Sequence, residues 1–166
     1  MNTTDNTAPG ALTSLRALGG QPDSSLAALR RIAAEQARLL RDLLTVPVPQ
    51  TPARLSVLIP SLLIEYITQL PTHGIAFWAR PYWHIRISAS DPSARQTFTV
   101  LHQFKHIIDH PLRQRLTALG DADWEELADY FAGQALREKA SPDPSGWASD
   151  TSELQAATPG KGGTKK

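Results

Sequence analysis

The fold class this chain predicts is α+β: one long N-terminal helix, a small antiparallel sheet, and two helices that follow it. Three observations carry that expectation. Apolar residues between positions 26 and 43 recur with the 3.6-residue period of a helix, and those between 83 and 87 alternate as in a half-buried strand. A pair of histidines four residues apart lies in an apolar stretch introduced by Asp91-Pro92, a combination that opens helices.

In chain order, Ser24 is placed to cap the first helix, whose stripe runs Leu26, Leu29, Ile32, Ala33, Gln36, Leu39, Leu40 and Leu43, with Arg30, Arg31, Arg38 and Arg41 mostly off it. The helix is expected to stop near Thr45, because Val46-Pro47-Val48-Pro49-Gln50-Thr51-Pro52 cannot continue it. A short helical turn is expected over Ala53 to Leu58. Strands are expected at Leu62 to Thr68, Gly74 to Ala79 and Tyr82 to Ser88. The last of these sets Trp83, Ile85 and Ile87 against His84, Arg86 and Ser88, and Arg80-Pro81 implies a tight antiparallel connection before it. Asp91 as N-cap and Pro92 as first helical residue then open a helix expected to reach Asp109, where Pro111 ends it. A final helix follows Gly120-Asp121 through Trp124, Leu127, Ala128, Phe131 and Ala135 to about Lys139.

At 166 residues, 41% hydrophobic and 20% charged, the chain suits one domain with tails. Residues 1–22 lack sustained periodicity and read as a disordered lead-in. Residues 23–140 form the domain, and 141–166, rich in Gly, Pro, Ser and Thr, read as a disordered tail. Seventeen basic against sixteen acidic residues give a net charge of +1, so there is no direct nucleic-acid signal. No apolar run is long enough to span a membrane, and residues 1–10 lack the build of a secretory signal, so a cytoplasmic location is expected. The chain has no cysteine, which excludes disulfides, thiolate metal sites and cysteine nucleophiles and leaves imidazole and carboxylate as metal ligands.

His102-Gln103-Phe104-Lys105-His106 has the spacing of the zinc-peptidase motif His-Glu-x-x-His, with glutamine in the glutamate position. On a helix, residues four apart lie about 40° round and about 6 Å along the axis, so both imidazoles can reach one ion. The residue after the first histidine moves protons in that motif, and an amide has no basic oxygen for this at neutral pH. Alone, such a pair reads more readily as two amphipathic-helix histidines than as a metal site. Apolar neighbours (Phe98, Val100, Leu101, Phe104, Ile107, Ile108) and the pair Glu125-Glu126 on the next helix favour a His₂Glu site with an open position.

The run Arg95-Gln96-Thr97-Phe98-Thr99-Val100-Leu101-His102-Gln103-Phe104-Lys105-His106 resembles the motif helix of the ImmA/IrrE family of zinc metallo-endopeptidases. That helix typically reads Arg-(Gln/Phe)-x-Phe-(Thr/Ser)-Leu-Ala-His-Glu-x-x-His. Glu125-Glu126-Leu127-Ala128-Asp129-Tyr130-Phe131-Ala132 is similar to the family segment that supplies the third ligand. Leu70 to Trp78 with Trp83 to Ile87 resemble its strand pair, and Ala28 to Ala33 its first helix. The likeness spans roughly residues 25 to 137. It implies a zincin-like site with His102, His106 and Glu125 as zinc ligands and Gln103 in the place of the general base. It also implies a repressor-like or regulatory protein as partner, since family members cleave transcriptional repressors. Two features depart from the pattern: the base is absent, and Gln134-Ala135-Leu136-Arg137-Glu138 replaces the usual Leu-Leu-Met-Pro, which is expected to shorten or open the substrate cleft.

Other residues compete for roles. His110 continues the histidine stripe, although a capping or surface place suits it better. Asp109 offers a carboxylate to orient His106, against the alternative of a solvated acid, and Glu126 is the substitute third ligand. His73 and His84 read as partly exposed strand histidines, and Trp78, Trp83 and Trp124 as core. Three functions are compatible with the sequence. The first is a metal-binding regulatory or interaction module with impaired peptidase chemistry. The second is an active zinc endopeptidase acting on a repressor-like protein, and the third is a metal-free interaction domain.

Overall fold

A computed structural model of the chain describes residues 10–20, 25–47 and 50–137. The element order is α1 (Ala11–Ala17), α2 (Leu26–Leu44), α3 (Thr51–Leu58), β1 (Leu62–Ile67), β2 (Gly74–Ala79), β3 (Tyr82–Ser88), α4 (Ser93–Arg113) and α5 (Asp121–Ala135). This is the α+β class the sequence predicts. Lys139 and the tail 141–166 lie outside the described residues.

The long helix α2 starts where Ser25, one residue beyond the expected Ser24, accepts a hydrogen bond from the Ala28 amide at 3.3 Å. It ends on Thr45, which takes the left-handed conformation at φ 50°. Its buried stripe, Ala28, Leu29, Ala33, Gln36, Ala37, Leu40 and Leu44, packs chiefly on α5. The guanidinium of Arg41 donates to the carbonyl of Gln134 in the last turn of α5, an acceptor that also takes the Arg137 amide at 3.3 Å.

Four details differ from expectation. Residues 11–17, assigned to an unstructured lead-in, form α1, and Leu15 is fully buried in the main core. One buried residue in a seven-residue helix leaves no stripe to detect. The sheet is mixed, not wholly antiparallel: its order is β1-β3-β2, with β1 parallel and β2 antiparallel to β3. The most buried strand, β3, takes the centre through Ile85 and Ile87, so residues 68–73 carry the chain past it and leave β2 on a free edge. Asp91 does not cap α4. Pro92 occupies the N-cap, and the Asp91 carboxylate pairs with His73 at 2.8 Å. Lastly, α4 runs through Pro111 to Arg113.

That continuation has a visible cause. Proline has no N–H to give the carbonyl four residues back, which here is Ile107. Arg16 Nη2 of α1 donates to that carbonyl at 2.8 Å instead. The turn at Pro111 is thus satisfied from a different helix.

Helix α4 lies between α5 and the sheet. Phe104 of α4 and Phe131 of α5 are both fully buried among Leu40, Ile85, Val100 and Leu101. Truncating either to alanine would cost about 3–5 kcal/mol. A second cluster joins Leu29, Leu112, Trp124 and Leu127. The core thereby fixes the rotation of α4 and α5 about their axes, and with it the faces that carry the histidines and Glu125.

Candidate metal centre

Phe104, Ile107 and Ile108 bury one face of α4, which leaves His102 and His106 half-buried on the neighbouring face toward α5. On α5, Trp124, Leu127, Ala128 and Phe131 point inward, so Glu125 and Asp129, four residues apart, project from the adjoining face. The N-terminal turn of α5 is held by the Asp123 carboxylate, which accepts from the Gly120 amide at 2.9 Å.

The three predicted ligands meet. One donor atom from each of His102, His106 and Glu125 lies within 4.8 Å of the others. His102 Nε2 is 3.1 Å from His106 Nε2 and 3.1 Å from Glu125 Oε2, and His106 Nε2 is 3.3 Å from Glu125 Oε1. A tetrahedral ion with bonds of ~2.0–2.1 Å holds its donors ~3.3 Å apart, so the separations suit zinc.

Asp129 sharpens the fit. Its carboxylate is 2.8 Å from His102 Nδ1 and can accept only if that nitrogen carries the proton, which leaves Nε2 with a lone pair. That lone pair faces a second imidazole nitrogen and a carboxylate oxygen. A proton on His106 Nε2 or a metal ion among the three groups satisfies this arrangement equally. Burial holds the His106 imidazole below its ordinary pKa; Glu125 opposes this, while His102 and Arg113 add to it. A neutral imidazole is the form that binds metal. The sequence reading missed Asp129. Its signal was the four-residue spacing from Glu125 on a helix whose Leu127 and Ala128 turn inward between them.

Gln103 is half-buried and donates its Nε2–H to the Gly74 carbonyl at the start of β2, at 3.3 Å. The approach is close. A Cβ on Gly74 would lie 2.5 Å from Thr99 Cγ2 and 3.4 Å from Gln103 Cγ, so α4 and the edge strand meet here only because position 74 has no side chain. A carboxylate at 103 could not make this bond, having no hydrogen to give.

The remaining candidates lie elsewhere. Asp109 does not orient His106. It is buried and paired with Lys105 Nζ at 2.6 Å, and Lys105 also donates to Gln36 Oε1 at 2.9 Å. Burial pushes the Asp109 carboxyl up and the Lys105 ammonium down, each resisted by the charge of the other. Glu126 pairs with Arg30 at 3.3 Å. His110 meets the Trp83 ring edge-on at 5.1 Å between centroids and accepts from Gln114 Nε2 at 3.2 Å. His73 pairs with Asp91, and His84 stacks on Phe77 with ring centroids 5.0 Å apart and approaches Glu65 at 3.2 Å. Trp124 is core, Trp83 is half-buried, and Trp78 is 50% exposed on the edge strand, contrary to its expected place in the core. Among the described residues no helix is long and apolar enough to cross a membrane.

Residues 61–136 match the family model of the IrrE N-terminal-like domain, peptidase M78. The matched segment runs from the start of the sheet to just past α5 and contains His102, Gln103, His106, Glu125 and Asp129. Comparisons with curated proteins and with solved structures gave no match.

Proposed function

Taking residues 61–136 as an IrrE N-terminal-like domain of the metallopeptidase family, we propose that this protein binds one zinc ion through His102, His106 and Glu125 and serves as a regulatory or interaction module with impaired peptidase activity. The observation that carries the reading is Gln103. It sits at the family position of the general base, cannot accept a proton at neutral pH, and has its amide engaged with the Gly74 carbonyl.

Each residue has a distinct part. His102 and His106 present nitrogens from one face of α4, and Glu125 supplies the anionic oxygen. Asp129 holds the His102 tautomer and orients its ring, as outer carboxylates do for metal-bound histidines. Zinc, when bound, would polarise a peptide carbonyl and acidify water. What the chain lacks at position 103 is a carboxylate to take up and return a proton.

The partner proposed is a repressor-like or other regulatory protein, consistent with the likeness to a family that acts on such proteins. Metal analysis of tag-free protein tests the base of this reading. About one zinc per chain, lost in the His102→Ala/His106→Ala double variant, is the expected result. Metal-free protein, or a double variant that keeps its metal, would favour an interaction domain without metal.

A further inference from the structure

An open groove of about 340 Å³ adjoins the metal cluster and shares His106 with it. Its walls are Ala76 and Trp83 from the sheet and His106, His110, Arg113 and Gln114 from the last turns of α4 and its cap. No carboxylate lines it among the described residues, whereas Arg113 brings a permanent positive charge. The volume is at the small end for ligand pockets, ~300–1,000 Å³, and suits one side chain of a larger ligand better than a whole cofactor.

The aromatic wall extends outward. The Trp78 ring lies 5.2 Å from that of Trp83 and is 50% exposed on the free edge of β2. Arg113 is stacked over Trp124 at 5.7 Å, which fixes the guanidinium, and Nη2 pairs with Asp121 at 2.9 Å. Asp121 is 94% exposed, so that ion pair is weak and leaves the rest of the guanidinium fork available.

We propose that this groove is a side-chain subsite selecting an acidic residue, Asp or Glu, in a peptide bound across the metal cluster. The inference rests on the protein-partner reading above and adds the class of side chain. Its basis is charge complementarity: Arg113 offers a paired-donor fork for a carboxylate, and Trp83 supplies an apolar wall for the methylenes that carry it.

Three blocked pentapeptides, identical except for a central Glu, Gln or Lys, test the proposal on the full chain, both metal-free and loaded with zinc. Tryptophan fluorescence reports binding, since Trp83 lines the groove. The Glu peptide should bind on the order of tenfold more tightly than the Gln peptide, the gap narrowing with added salt. R113Q should abolish the gap by weakening the Glu peptide far more than the Gln peptide, and R113E should turn the preference toward Lys. Circular dichroism and zinc uptake check that each variant folds, and should R113Q fail, R113K, which keeps the charge but loses the paired-donor fork, is expected to narrow the same gap in folded protein. Equal binding of Glu and Gln peptides, or no binding of any, overturns the subsite. Failure to take up zinc overturns the metal reading instead, and the Glu-to-Gln ratio on the metal-free chain still decides the subsite.

Discussion

Arg16 donates to the carbonyl of Ile107, the acceptor that Pro111 leaves without its helical partner. A loop proline ordinarily ends a helix, but here a guanidinium from α1 lets α4 run on to Arg113. Burial lowers the pKa of Arg16, and the delocalised guanidinium is the side chain that keeps its charge in proteins. Arg16→Met keeps the apolar stem and removes the donor, so it should destabilise the fold by about 1–3 kcal/mol. Pro111→Ala restores an N–H four residues from Ile107. The double variant should therefore lose less than the sum of the single losses, with a coupling of ~0.5 kcal/mol or more in urea denaturation. Strict additivity would show that the two residues do not share that carbonyl.

The buried pair of Lys105 and Asp109, with side chains 3% and 4% exposed, has a similar logic. Lys105→Met strands the Asp109 carboxylate and removes the donor to Gln36 Oε1, whose Nε2 in turn donates to the Leu15 carbonyl at 2.9 Å. A loss of about 3–5 kcal/mol is expected. Lys105→Met/Asp109→Leu replaces both charges by apolar groups and should recover much of it. A double variant as unstable as the single one would mean that the salt bridge itself, and not the stranded charge, sets the cost.

What the sequence made legible follows from periodicity and spacing. The 3.6-residue stripe of α2, the alternation of β3 and the histidine spacing on α4 are local patterns, and the structure places each element there. Periodicity left Glu125 and Glu126 both open as third ligand and the resemblance pointed to Glu125; the structure brings Glu125 to the histidines and pairs Glu126 with Arg30. Pairing between strands was not accessible. Parallel β1 and β3 are joined by long-range hydrogen bonds that no local pattern encodes. Arg16 and Ile107 are 91 residues apart, which is why a proline read as a stop became an interior residue. The burial of Lys105 had no local signal, because its partners Gln36 and Asp109 come together only in the fold.

Asp129 should govern zinc affinity without being a ligand. Asp129→Asn keeps the shape but lets either tautomer of His102 form, so zinc should bind about 10–100-fold more weakly in competition with a chromophoric chelator. Its stoichiometry should stay at one ion. Unchanged affinity would remove Asp129 from the site.

Acid should destabilise the metal-free protein through His106. In the unfolded chain an imidazole titrates near ~6.5, whereas in the fold burial holds His106 lower. Between those two values the unfolded state carries more protons, so stability rises with pH across the window. The contribution is complete above about 6.5 and is lost as pH falls through the depressed folded value. Asp109, shifted the opposite way, slopes against it, so the clean measurement is a difference. The stability gap between wild type and His106→Gln, from urea midpoints at pH ~5 and ~7, should be more favourable to wild type at the higher pH. A gap independent of pH would contradict the burial.

The sharpest test of the proposed impairment is Gln103→Glu. The glutamate could act as a general base, a role typically contributing ~10²–10⁴-fold, yet it could not donate to the Gly74 carbonyl as Gln103 does at 3.3 Å. Two effects should therefore separate. Stability should fall by about 0.5–1.5 kcal/mol through loss of that hydrogen bond, and Gln103→Ala should lose at least as much, because it also gives up packing against Gly74. Hydrolysis of a repressor-derived peptide by zinc-loaded protein should rise only in the glutamate variant, with the alanine variant as slow as wild type. If wild type already cleaves as fast as Gln103→Glu and both activities vanish on chelation, the impairment is refuted and the base must be another carboxylate. Asp129, beside His102, would be the first to replace, since Asp109 is buried against Lys105 and Glu126 is paired with Arg30.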